Sequence, residues 1–77
     1  MEIYVLTQAG REAVSRLKRE GREEDARILE YVELLERATV QQVAEALQLD
    51  EAVVYDRLRS LSANRWVWRK STKLTLF

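Results

Sequence analysis

Six bases crowd the end of the chain: Arg57, Arg59, Arg65, Arg69, Lys70 and Lys73 all fall within residues 52–77, and Asp56 is the one acid among them. Residues 20–51 are the reverse, with ten acids and three bases. A chain of zero net charge is therefore polarised, about −7 in its middle and about +5 at its end. Such a distribution can present a basic face to phosphate although the total charge is neutral.

Other chemistries are excluded by what is missing. The 77 residues contain no cysteine and no histidine. A disulfide framework, a thiolate or imidazole zinc site and a histidine-based catalytic triad are all ruled out. Glu30, Glu33 and Glu36 recur every third residue, which places them on a solvated helix face rather than in a paired acid–base arrangement. No glycine-rich phosphate loop and no nucleophile–base pair is present, so the sequence implies neither an enzyme nor a cofactor. No apolar run approaches the ~20 residues of a membrane span. Residues 1–6 lack the basic start and long apolar stretch of a signal peptide, so a cytoplasmic location is expected.

With 47% hydrophobic residues, the chain can build one modest core and hence a single domain over 1–77. Residues 1–6 are β-branched, aromatic or apolar at Ile3, Tyr4, Val5 and Leu6 and predict a short strand. Thr7 offers a helix cap. Ala9, Ala13, Val14 and Leu17 then predict a helix over 8–20, which Gly21 ends. Glu23, Glu24 and Asp25 suit the start of a second helix. Its stripe is Ile28, Leu29, Val32 and Leu35, widened by Tyr31 and Leu34, and it should end near Arg37. Thr39 and Gln42 form a capping box for a third helix carrying Val40, Val43, Ala44 and Leu47. Asp50 can cap a fourth, with Val54, Leu58 and Leu61 inward, that runs to about Ala63. Asn64 tolerates left-handed backbone and can end it. Residues 66–69 and 73–77 read as two strands around a polar turn at Lys70, Ser71 and Thr72. An isolated hairpin is marginal, so the N-terminal strand can join it as a third. The predicted class is mainly α with a small sheet, α+β, in the order β-α-α-α-α-β-β.

The segment T-V-Q-Q-V-A-E-A-L-Q-L-D-E-A-V-V-Y-D-R-L-R-S-L, followed by R-W-V-W-R, resembles the winged helix-turn-helix superfamily, in which many transcription regulators fall. Ala44 and Val54 stand ten residues apart, where a small residue on one helix lets the next cross closely. Leu47 and Leu49 flank the turn, and the basic hairpin corresponds to the wing. Residues 1–21 would then be an added strand and helix, and residues 22–77 the winged-helix core. The opening Y-V-L-T-Q-A-G-R-E-A also resembles a stretch of bacterial and archaeal regulators, where it follows the wing rather than preceding the core. Gln48 and Arg65 stand where the family often has glycine, and Asn64 is expected to supply the unusual dihedral.

The resemblance implies a DNA-binding transcriptional regulator, with a recognition helix over about 50–63 and a basic wing over about 66–77. In the fourth helix Ala52, Asp56, Arg59 and Ala63 point most nearly away from the core, flanked by Val53, Tyr55, Arg57 and Ser60. Arg59 would read guanine or grip phosphate, Tyr55 would reach a phosphate through its hydroxyl, and Val53 would touch a thymine methyl. Arg65, Arg69, Lys70 and Lys73 would approach the backbone from the wing. Each assignment has a plainer counterpart: a surface ion pair for Arg59, and a hairpin edge kept soluble by charge for the wing. Asp56 at the centre of the outward face opposes phosphate unless it accepts from cytosine or pairs with an arginine. Trp66 and Trp68 share a strand face, at least one packing over Leu58 or Leu61, with base stacking as the alternative. Gln41 and Gln42 stand at a helix start where phosphate can be met, although Gln42 also serves the capping box.

Double-stranded DNA is the implied partner. A homodimer is expected because one recognition helix reads few base pairs. Helix one or the first strand would form its surface, together with Val14, Leu17, Tyr31 and Leu34. A protein-interaction module in a larger assembly, or an RNA-binding appendage, remains open on the same residues.

Overall fold

A computed structural model of the chain describes residues 2–71. It contains β1 (Glu2–Leu6), α1 (Gln8–Arg19), α2 (Glu23–Leu35), α3 (Val40–Leu47), α4 (Glu51–Ala63) and β2 (Val67–Ser71). The protein is mainly helical with a small antiparallel sheet. The strand expected over 73–77, and Lys73 with it, lie outside the described residues.

Alternation along β1 turns Tyr4 into the core, where it is fully buried, while its neighbours Ile3 and Val5 are half-buried. β1 pairs with β2 through Glu2↔Ser71, Ile3↔Lys70, Tyr4↔Arg69, Val5↔Trp68 and Leu6↔Val67. On its other side Tyr4 exchanges two backbone hydrogen bonds with Ala38, at 2.8 and 3.0 Å. The first strand of the sequence thus lies between the α2–α3 connection, met through Ala38, on one side and β2 on the other. This corrects the expected C-terminal boundaries. Trp66 precedes β2, and Lys70 and Ser71 belong to the strand rather than to a turn. Pairing decides the matter: β1 offers partners as far as Glu2, and those cross-strand bonds outweigh the turn preference of a Lys-Ser-Thr run.

Thr7 and Gly10 fix how α1 leaves the sheet. The Thr7 hydroxyl accepts from the Gly10 amide at 2.9 Å and donates to the Arg65 carbonyl at 2.7 Å. The Thr7 amide donates to the Trp66 carbonyl at 3.1 Å. One residue therefore caps α1 and ties it to the α4–β2 link. Gly10 is buried against that link. A Cβ there would collide with the Trp66 carbonyl and press on Leu6. The Leu-Thr-x-x-Gly pattern is thus a packing device.

The helices bury the faces that their periodicity marks. Ala13 and Leu17 of α1, Ile28, Leu29 and Val32 of α2, Val43 and Ala44 of α3, and Val54, Leu58 and Leu61 of α4 join Tyr4, Ala38 and Val67 in one core. Each fully buried aliphatic contributes roughly 1.5–3 kcal/mol. Four expectations need correction. Ala9 is exposed and Gly10 takes its place against the core. Leu17 is core, so it forms no part of an outer surface. Leu34 does not widen the buried stripe of α2, for it is 74% exposed. α2 also stops at Leu35, where Glu36 turns to φ 66°.

Both caps around α3 and α4 form as their residues require. Thr39 and Gln42 close the capping box with bonds of 3.1 and 3.0 Å, and Asp50 accepts from the Ala52 amide at 3.0 Å. Gln48 takes the left-handed conformation between the two helices, φ 56° and ψ 46°. Ala44 and Val54 are both buried where α3 and α4 pack. Asn64 is not the left-handed residue at the end of α4. Its φ is −85°, and both its amide and its side chain donate to the Ser60 carbonyl, at 3.2 and 2.9 Å. Arg65 carries the positive φ instead, at 62°. With its side chain already bonded back onto the last turn, Asn64 stays near-helical and the reversal falls one residue later.

Candidate nucleic-acid interface

The outward face of α4 is divided along its length. Its first half exposes Glu51, Ala52, Val53, Tyr55 and Asp56, and Val53 and Tyr55 keep about two fifths of their surface open. This half borders an open groove shared with Glu2, Val40 and Gln41. The second half and the segment after it carry Arg57, Arg59, Arg65, Arg69 and Lys70, all exposed.

Arg57 faces inward along the surface. Its guanidinium lies 3.3 Å from Glu24 and 3.5 Å from Asp25. Asp25 is 3% exposed and also accepts two bonds from Arg22, at 3.0 and 2.7 Å. A buried carboxylate needs such partners, so Arg57 clamps α4 to the start of α2 as well as standing at the edge of the outward face.

Arg59 behaves differently. Among the described residues no carboxylate lies within ion-pair distance of it, Asp56 included, and its guanidinium sits 5.8 Å from the centre of the Tyr55 ring. The stacked arrangement holds Arg59 beside Tyr55 with its donors available. Arg69, one strand away, has only a loose pairing with Glu2 at 3.7 Å. Arg59 and Arg69 line one cleft together with Tyr4, Ser62 and Ala63. Arg65 lines the neighbouring cleft with Thr7, Ser62, Val67 and Trp68. Ser62 borders both clefts, so Arg59 and Arg69 stand on one side of it and Arg65 on the other. Lys70 projects from the opposite face of β2 to Arg69, on the side of Trp68, its ammonium 5.5 Å from the centre of the Trp68 ring.

The two tryptophans part company. Trp66 packs against the core and lies under two guanidiniums, Arg16 at 5.5 Å and Arg22 at 5.7 Å. Trp68 is 66% exposed. Tyr4 is the residue that sequence patterning misses at this surface. It is fully buried, and its hydroxyl makes no close hydrogen bond, with the Glu2 carboxylate as its neighbouring acceptor. Burial raises its pKa above the ordinary value near 10, reinforced by the Glu2 carboxylate and opposed by Arg69. Glu2 and Tyr4 share a face because they stand two apart on β1, but only the register of β1 against β2 brings Arg69 to them, and no local spacing in the sequence encodes that.

Among the described residues no group of three potential ligands is placed to hold a metal ion, and no helix is long and apolar enough to cross a membrane. No family model, curated protein or solved structure matches the chain.

Proposed function

We propose that this chain is a DNA-binding domain of the winged helix-turn-helix kind, acting in transcriptional regulation. In this reading α3 and α4 form the helix-turn-helix. α4 enters the major groove and the bases from Arg65 onward grip the backbone. The observation that carries the reading is the gathering of Arg59, Arg65 and Arg69 around Ser62 at the end of α4, next to an exposed helix face. Bases without close carboxylates retain their charge for phosphate, and each phosphate neutralised releases counterions. Ala52, Val53 and Asp56 then stand near the start of the recognition helix, where base edges are met. There Ala52 and Val53 suit thymine methyls, and Asp56 suits a cytosine amino group.

A homodimer belongs to the same proposal, since paired half-sites multiply affinity. β1 has neighbours on both sides and Leu17 is core, which leaves α1 with its partly buried Val14, and the partly buried Tyr31 and exposed Leu34 of α2, for that contact.

The groove between Glu2, Val40, Gln41, Glu51, Ala52 and Tyr55 favours a second reading, a protein-interaction module. Its carboxylates and partly exposed apolar side chains suit a basic, apolar peptide better than a phosphate backbone. Fluorescence anisotropy with random-sequence duplex DNA, an RNA hairpin and single-stranded RNA separates the readings. Duplex binding at micromolar concentration, lost in an Arg65→Ala/Lys70→Ala variant, supports the DNA domain. Preference for either RNA over duplex contradicts it, and a folded protein that binds none of the three turns the search to a protein partner.

A further inference from the structure

The cleft between the second half of α4 and the sheet has the composition of an oxyanion seat. Its volume is about 270 Å³ and its lining is Tyr4, Arg59, Ser62, Ala63 and Arg69. Three different elements deliver these groups: β1 gives the phenol, α4 the serine and one arginine, and β2 the other arginine. Two guanidiniums at one cleft repel each other unless an anion lies between them. Among the described residues the single carboxylate in ion-pair reach is Glu2, at 3.7 Å from Arg69. The Tyr4 hydroxyl is buried and makes no close hydrogen bond. Buried hydroxyls are nearly always bonded, and the acceptor beside this one is the Glu2 carboxylate, which holds it as loosely as it holds Arg69.

We propose that this cleft seats one phosphate group, and that in the DNA-bound state the group is a backbone phosphodiester. This rests on the DNA reading for the source of the phosphate, but the seat itself rests on Tyr4, Ser62, Arg59 and Arg69. Guanidinium, hydroxyl and phenol are donors matched to unprotonated oxygens, and the two arginines supply the charge. The phenol stays protonated, and so remains a donor, throughout the neutral range. Glu2 is the internal competitor: it holds Arg69 loosely and must yield it to the incoming oxygen. Removing its charge therefore strengthens binding, an outcome that a generally basic surface does not single out so sharply.

The test uses a short labelled random-sequence duplex at low salt. It compares wild type with Arg59→Gln, Tyr4→Phe and Glu2→Gln, and with Lys18→Gln on α1 as control. In parallel, inorganic phosphate is titrated while the Ser62 amide and the Arg59 and Arg69 guanidinium resonances are followed by NMR. Arg59→Gln is expected to weaken duplex binding about tenfold, the loss typical of one charged hydrogen bond. Tyr4→Phe is expected to weaken it severalfold with the fold intact, and Glu2→Gln to tighten it about two- to threefold. Phosphate is expected to move the three cleft resonances. If Arg59→Gln disturbs the fold, Tyr4→Phe, which keeps the ring, decides. Duplex binding by wild type with all cleft variants matching Lys18→Gln, and no phosphate shifts, overturns the seat and leaves the DNA reading standing. Phosphate shifts at the cleft without any duplex binding support the seat and overturn the DNA reading. Neither duplex binding nor phosphate shifts overturns both.

Discussion

Tyr4 shows how one side chain links stability to the candidate site. Its ring is core and its hydroxyl is an unsatisfied donor. An orphaned buried polar group costs about 1–3 kcal/mol, so Tyr4→Phe should leave the domain as stable or raise its Tm in phosphate-free buffer. The variant also changes the alkaline limb. Below pH 10 the phenol is protonated in folded and unfolded chains alike, and its contribution is constant. Above pH 10 the unfolded chain releases the proton while the folded one, with its raised pKa, retains it, so stability falls as pH climbs. Denaturant melts from pH 8 to pH 11 should show that fall in wild type and less of it in Tyr4→Phe. Gly10 makes the opposite point. Gly10→Ala drives a methyl into the Trp66 carbonyl, and overpacking of about 1–3 kcal/mol should lower the thermal midpoint by roughly 5–20 °C. Unchanged melting would mean that the α1–link contact is looser than described.

At the scale of elements, the joints carry the information. Gln48 holds left-handed backbone in the α3–α4 connection, a conformation that costs a non-glycine residue about 1 kcal/mol or more. Gln48→Gly should therefore raise the midpoint by a few degrees, after the loss of about 0.4–1 kcal/mol to unfolded-chain entropy. A lower midpoint would show that the Gln48 side chain contributes more than its backbone costs. The helices themselves were legible from the chain, because Thr39 and Gln42 announce one start, Asp50 another, and Val54, Leu58 and Leu61 repeat on one face. The sheet was less so. Whether Lys70 and Ser71 turn or extend depends on Ile3 and Glu2, nearly seventy residues away along the chain, and local preference carries no trace of that pairing. For the same reason the bases of the candidate site could be named from their density, while Tyr4, Glu2 and Ser62 beside them could not. Propensity, which ranks residue types, points to Asn64 for the reversal that Arg65 makes, whereas the hydrogen bonds to Ser60 fix the position.

Seen whole, the molecule spends acids of α2 on bases of α1 and α4. Glu24 and Asp25 of α2 hold Arg57, and Glu30 and Glu33 hold Lys18 and Arg11 of α1. The bases of α4's end and β2 have fewer carboxylates to meet. Leu34 is the most exposed large apolar side chain among the described residues. If it lies in the homodimer contact, Leu34→Lys should shift sedimentation equilibrium toward monomer, and an unchanged distribution would remove it from that contact. The central claim is that a built basic surface grips duplex phosphate, and the dependence of duplex affinity on salt tests it most directly. Wild type titrated against random-sequence duplex from ~50 to ~200 mM salt should give a log–log slope of about −3 to −4, near −0.9 for each phosphate met by Arg59, Arg65, Arg69 and Lys70. Replacing any one of them should flatten the slope by about one. A slope near zero, or no binding by the folded protein at ~50 mM salt, would contradict it.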